Sequence, residues 1–373
     1  MTFEFATANR ILFGAGSFSR LAEIAAEHGR RPLIVTGKRG VDGPAGRRFP
    51  VDGEPTIATV REGVAVFRES GCDSVIAVGG GSAIDAGKAI AAAAANPGDL
   101  IDYLEVIGKA RPLEQAPFPF IAVPTTAGTG SEVTRNAVLG SPDHGVKVSL
   151  RSPAMLPRVA IVDPLLTLGL PRAITASTGL DALTQLIEPY VSSRASAMTD
   201  IFCLDGIRRA SRSLPRAYDD GSDKAARSDM AYASLLGGLA LANASLGVIH
   251  GFAAPIGGMF DAPHGAVCAA ILPSGMRVNI AALRACDPDG QALARYREIA
   301  RMVTGDDGAT AEDGAEWVAA LTRRLGIPPL ARYGLRPVDI PELAFKAARS
   351  NSMKGNPIML TDAELAAVLE GSL

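Results

Sequence analysis

Residues 73–90 read DSVIAVGGGSAIDAGKAI, and this stretch decides the fold of the first half of the chain. Its first six residues form a β-rich apolar run, glycines follow directly, and a helical pattern comes next. A buried strand that turns through glycines into a helix is the unit from which open parallel sheets are built. We therefore expect an α/β fold with a polar loop at the carboxyl end of a central strand.

The same alternation continues on both sides of this stretch. Residues 32–36, 117–124 and 158–164 are further short apolar runs typical of buried strands, and residues 56–71 carry helical periodicity. Beyond Asp163 the β-branched runs vanish and long helical patterns take over. The sequence thus predicts an α/β domain over residues 1–164 and an all-α domain over residues 165–373.

Residues 37–55, GKRGVDGPAGRRFPVDGEP, interrupt the pattern. They are rich in Gly, Pro and Arg, and they stand where a second helix and strand of a βαβ unit are expected. Two interpretations remain open at this point. The segment is either a mobile loop or a βαβ connection that has lost a helix.

Composition excludes several classes of function. A length of 373 residues favours two domains over one. The 37 basic and 39 acidic residues give a net charge of −2 without a basic block, so we expect no nucleic-acid partner. The chain has no uninterrupted apolar run of about eighteen residues and no signal-peptide pattern, so we expect a cytoplasmic protein without a membrane partner. Its four scattered cysteines form no CxxC pair, which argues against a structural zinc site and a disulfide framework.

The loop after residues 73–78 has the features of a phosphate site. Its glycines allow an anion to approach the backbone, and the first turn of the following helix presents free N–H groups. Ser82 and Asp85 fit an S-x-x-D capping box, which predicts that the helix begins here. The alternative is a tight turn that binds nothing.

A second polar loop, PTTAGTGSEVT at residues 124–134, follows the next predicted strand. It carries five hydroxyl side chains in ten residues at the carboxyl end of a parallel strand, where α/β sheets bind ligands. Taken alone, these hydroxyls fit equally well as caps of the next helix. Because two polar loops at strand ends converge on one crevice, ligand binding is favoured for the pair.

Three residues of the second half suggest a catalytic or metal site. His250 lies in an apolar helical pattern, and His264 follows fourteen residues later in an APHG turn. A lone histidine on an apolar face is more often a core residue, but a pair raises the odds of function. Asp181 stands in STGLDALTQLIEPYV, where a buried carboxylate is costly unless it is paired or bound to a cation. The alternative is that Asp181 caps its helix or pairs with an arginine.

These pieces occur together and in order, and the chain resembles the iron-containing alcohol dehydrogenase family. The matching stretches are VGGGSAIDAGKAIA, PTTAGTGSEVT, KVSLRSPAMLPRVAIVDP, TGLDALTQLIEPYVS and LGVIHGFAAPIGGMFDAPHGAVCA. The resemblance implies a Rossmann-like dinucleotide-binding domain, a helical metal and substrate domain, and an active site in the cleft between them. It also implies an NAD(P)-dependent oxidoreductase that interconverts a small alcohol and an aldehyde or ketone, as a dimer or larger homo-oligomer.

The resemblance assigns roles to four sets of residues. The residues expected to hold the cofactor pyrophosphate are Gly79, Gly80, Gly81 and Ser82. The residues expected to contact the rest of the cofactor are Thr125, Thr126, Thr129 and Lys147. The expected ligands of a divalent iron or zinc ion are Asp181, Gln185, His250 and His264. The expected catalytic residues, which would polarise the substrate if no metal were bound, are His250 and His264.

Two departures from the family pattern concern the metal site. The family usually reads DALTH where this chain reads DALTQ, so Gln185 offers a neutral amide instead of an imidazole. Ala254 stands where the family commonly has a histidine near the substrate. We therefore expect a metal that binds more weakly than in relatives with four ligands. In that case Gln185 is either a poor ligand or a group that hydrogen bonds to water or substrate at the ion.

The residues at the end of the strand predicted over residues 32–36 bear on whether NAD or NADP is bound. Relatives that prefer NAD often carry Asp at the position of Gly37, where it would bond the ribose and repel a 2′-phosphate. Gly37 leaves room, and Lys38 and Arg39 offer positive charge, so we expect NADP to be accepted. The alternative is that both basic residues are solvated loop charges.

Two other functions stay open on the sequence alone. One is a metal-independent reductase similar to maleylacetate reductase, although Asp181 counts mildly against it. The other is a nucleotide-binding paralogue with impaired catalysis.

Overall fold

A computed structural model describes residues 2–38, 40 and 43–373 of the chain. Arg39, one of the two basic residues in the NADP prediction, lies outside the described residues. The contacts divide the chain into two compact units. The first, called the α/β unit here, comprises Ala6–Thr126 and Gly130–Leu168. The second, called the helical unit, comprises Gly169–Leu373 with Ala127–Thr129 and a short N-terminal piece.

The α/β unit is built on a six-stranded parallel sheet in the order β1-β8-β5-β4-β2-β3, and β6 and β7 form a separate antiparallel pair. The strands are β1 (Arg10–Phe13), β2 (Pro32–Gly37), β3 (Arg47–Val51), β4 (Ser74–Gly79), β5 (Phe120–Pro124), β6 (Asn136–Ser141), β7 (Val146–Arg151) and β8 (Val159–Val162). Its helices are α1 (Leu21–His28), α2 (Ile57–Glu69), α3 (Gly81–Ala95) and α4 (Leu100–Tyr103). The four apolar runs of the sequence are strands of this sheet, and the predicted α/β class is confirmed.

The sheet has an apolar core on each face because side chains alternate along every strand. Leu33 and Val35 of β2 belong to the core that α2 and α3 cover. Ile34, between them, belongs to the opposite core, to which Leu21 and Ile24 of α1 contribute. Helices on both faces explain why the strands are continuous apolar runs without alternating polar residues.

The interrupted segment, residues 37–55, contains the edge strand β3. This strand pairs in parallel with β2, from Leu33 opposite Arg47 to Gly37 opposite Val51. Only residues 38–46 connect the two strands, fewer than the dozen or more that a parallel crossover usually needs. Among the described residues of this connection, 38, 40 and 43–46, none is helical. The strand expected in this βαβ unit is therefore present, and the described part of its connection contains no helix.

The predicted capping box at the start of α3 is wrong. The helix begins at Gly81 with Gly80 as its N-cap residue, and no side chain caps its first turn. The Asp85 carboxylate instead accepts hydrogen bonds from the Ser131 hydroxyl and from the backbone N–H of Val138, at 2.9 Å. Asp85 is thus used to hold the segment after β5 against α3, and it does not cap the N–H groups at the start of the helix.

Lys88 ties α3 to the same segment from a fully buried position. Its ammonium donates to the Thr134 hydroxyl at 2.9 Å, to the Thr134 carbonyl at 3.2 Å and to the Asn136 carbonyl at 2.6 Å. Burial lowers the pKa of Lys88 to about 8, while the nearby Asp85 carboxylate favours the charged form. These contacts fix the path of the chain between β5 and β6.

The helical unit contains long helices, and no strand occurs among the described residues after β8, so the prediction of a helical second half is confirmed. Its helices are α5 (Arg172–Val191), α6 (Ala197–Asp219), α7 (Lys224–Ala244), α8 (Val248–Met259), α9 (His264–Cys286), α10 (Gln291–Thr304), α11 (Ala311–Arg324), α12 (Ile340–Ala348) and α13 (Asp362–Glu370). By length and composition α9 is apolar enough to cross a membrane, but 78% of its apolar window is buried inside the structure. Its apolar character is that of a core helix.

The packing of α3 on the sheet gives a stability prediction. A Cβ atom at Gly87 would lie 2.7 Å from the Phe120 ring and 3.0 Å from the Ala77 Cβ, so Gly87→Val forces the helix away from the sheet. We expect the free energy of unfolding of the α/β unit to fall by about 1–3 kcal/mol or more, as overpacked cores do. Urea unfolding of the whole chain measures the change.

The matched control is Gly140→Val, because a Cβ there would meet the Thr56 methyl group at an ordinary distance of 3.7 Å. Equal unfolding midpoints for Gly87→Val and the wild type would show that α3 does not pack as closely as described.

Candidate functional site

Four side chains of the helical unit converge on one small volume. Asp181 lies in the middle of α5, His250 near the start of α8, and His264 is the first residue of α9. Cys268 lies one turn further along α9. One carboxylate oxygen, two imidazole nitrogens and the sulfur all lie within 4.8 Å of one another. We call these four residues the donor cluster.

The donor atoms of the cluster lie close enough together to contact one bound ion. Asp181 Oδ1 lies 3.4 Å from His250 Nε2 and 3.8 Å from His264 Nε2. Cys268 Sγ lies 3.7 Å from His264 Nε2. Three elements that are distant in sequence therefore bring together three of the four predicted metal ligands, with a cysteine that was not predicted.

Two atoms of the donor cluster are buried and lack a hydrogen-bond partner in the described part of the chain. They are Asp181 Oδ1 and His250 Nε2. Buried polar atoms are rarely left unpaired, because each costs about 1–3 kcal/mol. A cation bound between these atoms would satisfy both, so the residues present fit a divalent metal ion. Asp181 lies in the interior of α5, and among the described residues its charged partners are His250 and His264, so a helix cap or an arginine pair is not its role here.

Glu188 sets the direction in which His250 offers its lone pair. The Glu188 carboxylate lies 2.6 Å from His250 Nδ1, and its other oxygen accepts from the backbone N–H of Ile249 at 2.8 Å. This contact favours a proton on Nδ1, so that in the neutral imidazole, the form that binds a metal ion, Nε2 is the electron-pair donor facing the donor cluster. Carboxylate, histidine and metal are arranged in this order in many metalloproteins.

The electrostatics of the donor cluster favour positive charge. Burial by itself raises the pKa of Asp181, but the imidazoles of His264 and His250 hold it below its usual range. Burial by itself lowers the pKa of His264, but Cys268 and Asp181 raise it to about 9. The pKa of His250 is raised well above its usual value by Cys268 and Glu188, again against the effect of burial.

Gln185 holds Asp181 in place. Its amide Nε2 donates to Asp181 Oδ2 at 3.1 Å, across one turn of α5. The amide must be oriented in this way because a carboxylate only accepts. Gln185 Oε1 is buried without a hydrogen-bond partner in the part of the chain that the structure describes. Gln185 therefore touches the site, and its observed hydrogen bond orients a predicted ligand.

Sequence reasoning missed Glu188 and Cys268. Glu188 stands seven residues after Asp181, a spacing that places both on one face of α5, and both are buried. Cys268 stands four residues after His264, the spacing that brings two side chains of a helix together. The spacing of the cysteines relative to one another gives no sign of this pair, whereas the spacing of Cys268 from His264 does.

In the α/β unit the two polar loops lie side by side. The backbone N–H of Thr125 donates to the Gly79 carbonyl at 2.9 Å. A Cβ at Gly80 would lie 3.4 Å from the Thr126 methyl group, whereas a Cβ at Gly79 would lie 2.7 Å from Ala83. The predicted pyrophosphate loop is therefore a glycine turn against threonines, at the carboxyl ends of adjacent strands. It leads into the uncapped first turn of α3, which contains Gly81 and Ser82.

The later hydroxyls of residues 124–134 have structural roles. Ser131 donates to Asp85 and Thr134 accepts from Lys88, as described above. The short helical turn at Ser131–Val133 has Gly130 as its N-cap residue and no side-chain cap. No side chain therefore caps the start of this turn, although the Thr134 hydroxyl donates to the Ser131 carbonyl at 3.2 Å. Thr129 belongs to the helical unit by its contacts.

The remaining predicted cofactor residues are Lys147, Lys38 and Gly37, and both lysines pair with acidic residues. Lys147 in β7 is largely buried and pairs with Glu54. Lys38 pairs with Asp52 at 2.9 Å, and both side chains are exposed. A Cβ at Gly37 would meet no atom of the described residues within 4 Å. As far as the described part of the chain shows, the space at the end of β2 is therefore open, while Lys38 already has a negative partner.

Two stretches of the chain match known protein families. Residues 8–164 match the family described as iron-containing alcohol dehydrogenase. Residues 175–373 match the C-terminal part of the Fe-containing alcohol dehydrogenase family. The two matches together span almost the entire chain.

Individual relatives agree with these matches. The 1,3-propanediol dehydrogenase of Klebsiella pneumoniae is 41% identical over 325 residues, which cover 85% of this chain and 80% of that protein. The lactaldehyde reductase of Escherichia coli strain K12 is 36% identical over 367 residues, which cover 92% of this chain and 93% of that protein. The solved structure of sulfoacetaldehyde reductase from Bifidobacterium kashiwanohense in complex with NAD+ is 30% identical, with a TM-score of 0.88 over 100% of this chain and 99% of that one. The resemblance inferred from the sequence is confirmed, and the chain belongs to the iron-containing alcohol dehydrogenase family.

Proposed function

We propose that this protein interconverts a small alcohol and its aldehyde or ketone with NAD(P), assisted by a divalent ion held by Asp181, His250 and His264. The activity of an NAD-dependent alcohol dehydrogenase follows from the family and from relatives that carry such names. The observation that carries the metal assignment is the pair of buried, unpartnered atoms Asp181 Oδ1 and His250 Nε2.

Each residue of the donor cluster has a definable task in this function. When bound, the ion acts as a Lewis acid on the substrate oxygen while the nicotinamide carries the hydride. Asp181 supplies negative charge, and Gln185 holds its carboxylate by the 3.1 Å hydrogen bond. Glu188 keeps the proton of His250 on Nδ1, so that Nε2 stays free to bind the ion. His264 adds a second imidazole from the start of α9.

The loop of Gly79, Gly80, Gly81 and Ser82 is the proposed pyrophosphate site. Support comes from its place after β4 and from the uncapped N-terminus of α3 that it leads into. The chain runs from β2 outward to β3 and then returns to β4 on the other side of β2, which is a topological switch point. Open α/β sheets bind ligands at such points, beyond the carboxyl ends of the strands. Gly37 ends β2 and Gly79 ends β4, so both proposed cofactor positions lie at this edge.

The two other functions are not favoured. The relatives carry the names of a dehydrogenase and a reductase, which favours an enzyme over a paralogue with impaired catalysis. The donor cluster retains three predicted ligands and an outer carboxylate, a set that a metal-independent reductase does not need. We further propose a cytoplasmic homo-oligomer, a dimer or larger, that acts on small molecules without a nucleic-acid or membrane partner.

Removal of the metal tests the proposed function. Treatment of the full-length protein with a chelator should abolish NADH oxidation with aldehyde substrates, and zinc or ferrous iron should restore it. Glu188→Gln should raise the metal concentration needed for half restoration by about 10–100-fold, because an amide can place a proton on the wrong imidazole nitrogen.

The matched control is Glu298→Gln, which alters a carboxylate of the same unit that accepts from the Tyr190 hydroxyl. Activity that survives complete removal of the metal would overturn the metal-assisted function and favour the metal-independent reductase.

Gly80→Val tests the pyrophosphate site. The new side chain has room beside Thr126 but projects a branched group where phosphate oxygens must approach the backbone. We expect the Kd of NADH in a fluorescence titration to rise by about tenfold or more, equivalent to about 1.4 kcal/mol. Gly140→Val serves as the control in the same unit, and an unchanged Kd in Gly80→Val would rule out the assigned loop.

Gly37→Asp tests the acceptance of NADP. In the wild type we expect turnover with NADPH, since the space beyond Gly37 is open. A carboxylate at this position should lower kcat/KM for NADPH by about tenfold or more through repulsion of the 2′-phosphate, with little effect on NADH. Gly37→Asn has the same size without the charge and should keep NADPH activity. A wild type that uses NADH alone would refute this assignment.

A further inference from the structure

We propose that Cys268 is the fourth ligand of the metal and that its sulfur makes the centre selective for zinc over ferrous iron. This inference rests on the proposed metal-assisted function and names the donor that completes it. Gln185 stands at the position of the family's usual histidine. Its amide N–H donates a hydrogen bond to the Asp181 carboxylate. Cys268 enters the same volume from α9.

The distances support one ion shared by four donors. Zinc in tetrahedral sites lies about 2.0–2.2 Å from nitrogen or oxygen and about 2.3 Å from sulfur, so its ligands stand about 3.3–3.6 Å apart. The carboxylate oxygen of Asp181 lies 3.4 Å from His250 Nε2 and 3.8 Å from His264 Nε2. Cys268 Sγ lies 3.7 Å from His264 Nε2. The sulfur of Cys268 is therefore about as far from His264 as the predicted ligands are from one another, and it lies within 4.8 Å of the other two donor atoms.

A buried cysteine is ordinarily a small apolar residue of the core that has no chemical function. Cys203 fits that description, since it is fully buried in α6 and is not part of the donor cluster. Cys268 differs because its sulfur lies against the imidazole of His264, beside two buried atoms that lack hydrogen-bond partners. Those atoms, Asp181 Oδ1 and His250 Nε2, are independent evidence that a cation belongs at this place.

The charge of the donors agrees with a divalent ion. On binding, the S–H bond of Cys268 breaks, the sulfur keeps the electron pair and bonds to the ion, and the proton leaves to solvent. The thiolate and the Asp181 carboxylate then supply two negative charges directly to the divalent ion, while the Glu188 carboxylate pairs with Nδ1 of His250. Thiolate is a soft donor that favours zinc over metals that prefer oxygen and imidazole.

Cobalt substitution of the full-length protein tests the proposal directly. Chelator-treated wild type titrated with Co²⁺ should develop visible d–d bands together with an intense near-ultraviolet band from sulfur-to-cobalt charge transfer. Cys268→Ser should lose the near-ultraviolet band, and its Zn²⁺ affinity should fall by more than the about 10–100-fold that loss of an outer partner causes. Cys203→Ser and Gln185→Ala should both keep the near-ultraviolet band. Competition between Zn²⁺ and Fe²⁺ should shift toward iron in Cys268→Ser.

A second variant separates loss of the ligand from loss of folding. Adding Gln185→His to Cys268→Ser should restore tight Co²⁺ binding without the near-ultraviolet band, since an imidazole replaces the sulfur. Wild type that shows d–d bands but no near-ultraviolet band would overturn the role of Cys268 and leave the metal-assisted function intact. Wild type that binds no Co²⁺, and keeps its activity after chelation, would overturn both.

Discussion

The cost of burying charge inside α5 constrains the whole helical unit. Asp181 and Glu188 are almost fully buried, on a helix whose residues from Gly179 to Val191 are all buried. A carboxylate in such a place is stable only if other elements supply donors or cations. The ends of α8 and α9 supply them, because His250 and His264 lie in the first turns of these helices. The N-termini of α8 and α9 must therefore lie against α5, where their histidines can contact the Asp181 and Glu188 carboxylates.

In the α/β unit the main constraint is that a loop of glycines must keep one conformation. Lys88 and Asp85 of α3, the helix that follows this loop, form hydrogen bonds to the segment between β5 and β6 and fix its position. Hydrogen bonds of a buried ammonium are strong and directional, so this segment is positioned without side chains at the loop itself. Beside Gly80 the nearest side chain is that of Thr126, which a Cβ at this position would meet at an ordinary contact distance of 3.4 Å.

Patterns that depend on burial could be predicted from the sequence, and arrangements that depend on side-chain pairing could not. The strands β2, β4, β5 and β8 are apolar runs whose composition alone specifies them. The strand β3 was hidden because its RRFPV sequence has exposed arginines and a proline. The capping box failed for another reason, since Asp85 fits the pattern locally while a tertiary partner from β6 takes its carboxylate.

The candidate site shows the same division. Asp181, His250 and His264 could be found because ionisable groups in apolar sequence are conspicuous. Glu188 and Cys268 required knowledge of which helix faces meet, since each stands at a helical spacing from a residue already chosen. The role of Gln185 depends on the orientation of one amide, and no sequence pattern encodes that.

The strand β3 also determines how the sheet ends. As the last strand in the order, it presents backbone groups that another extended chain could pair with, which is a common route to aggregation. Pro50 removes one of its donors, and prolines within sheets occur where the missing N–H faces outward. Arg47 and Arg48 add exposed positive charge beside it. The edge is therefore protected by its own sequence: where the described residues of the short connection from β2 provide no helix, a proline and two arginines discourage pairing with another chain.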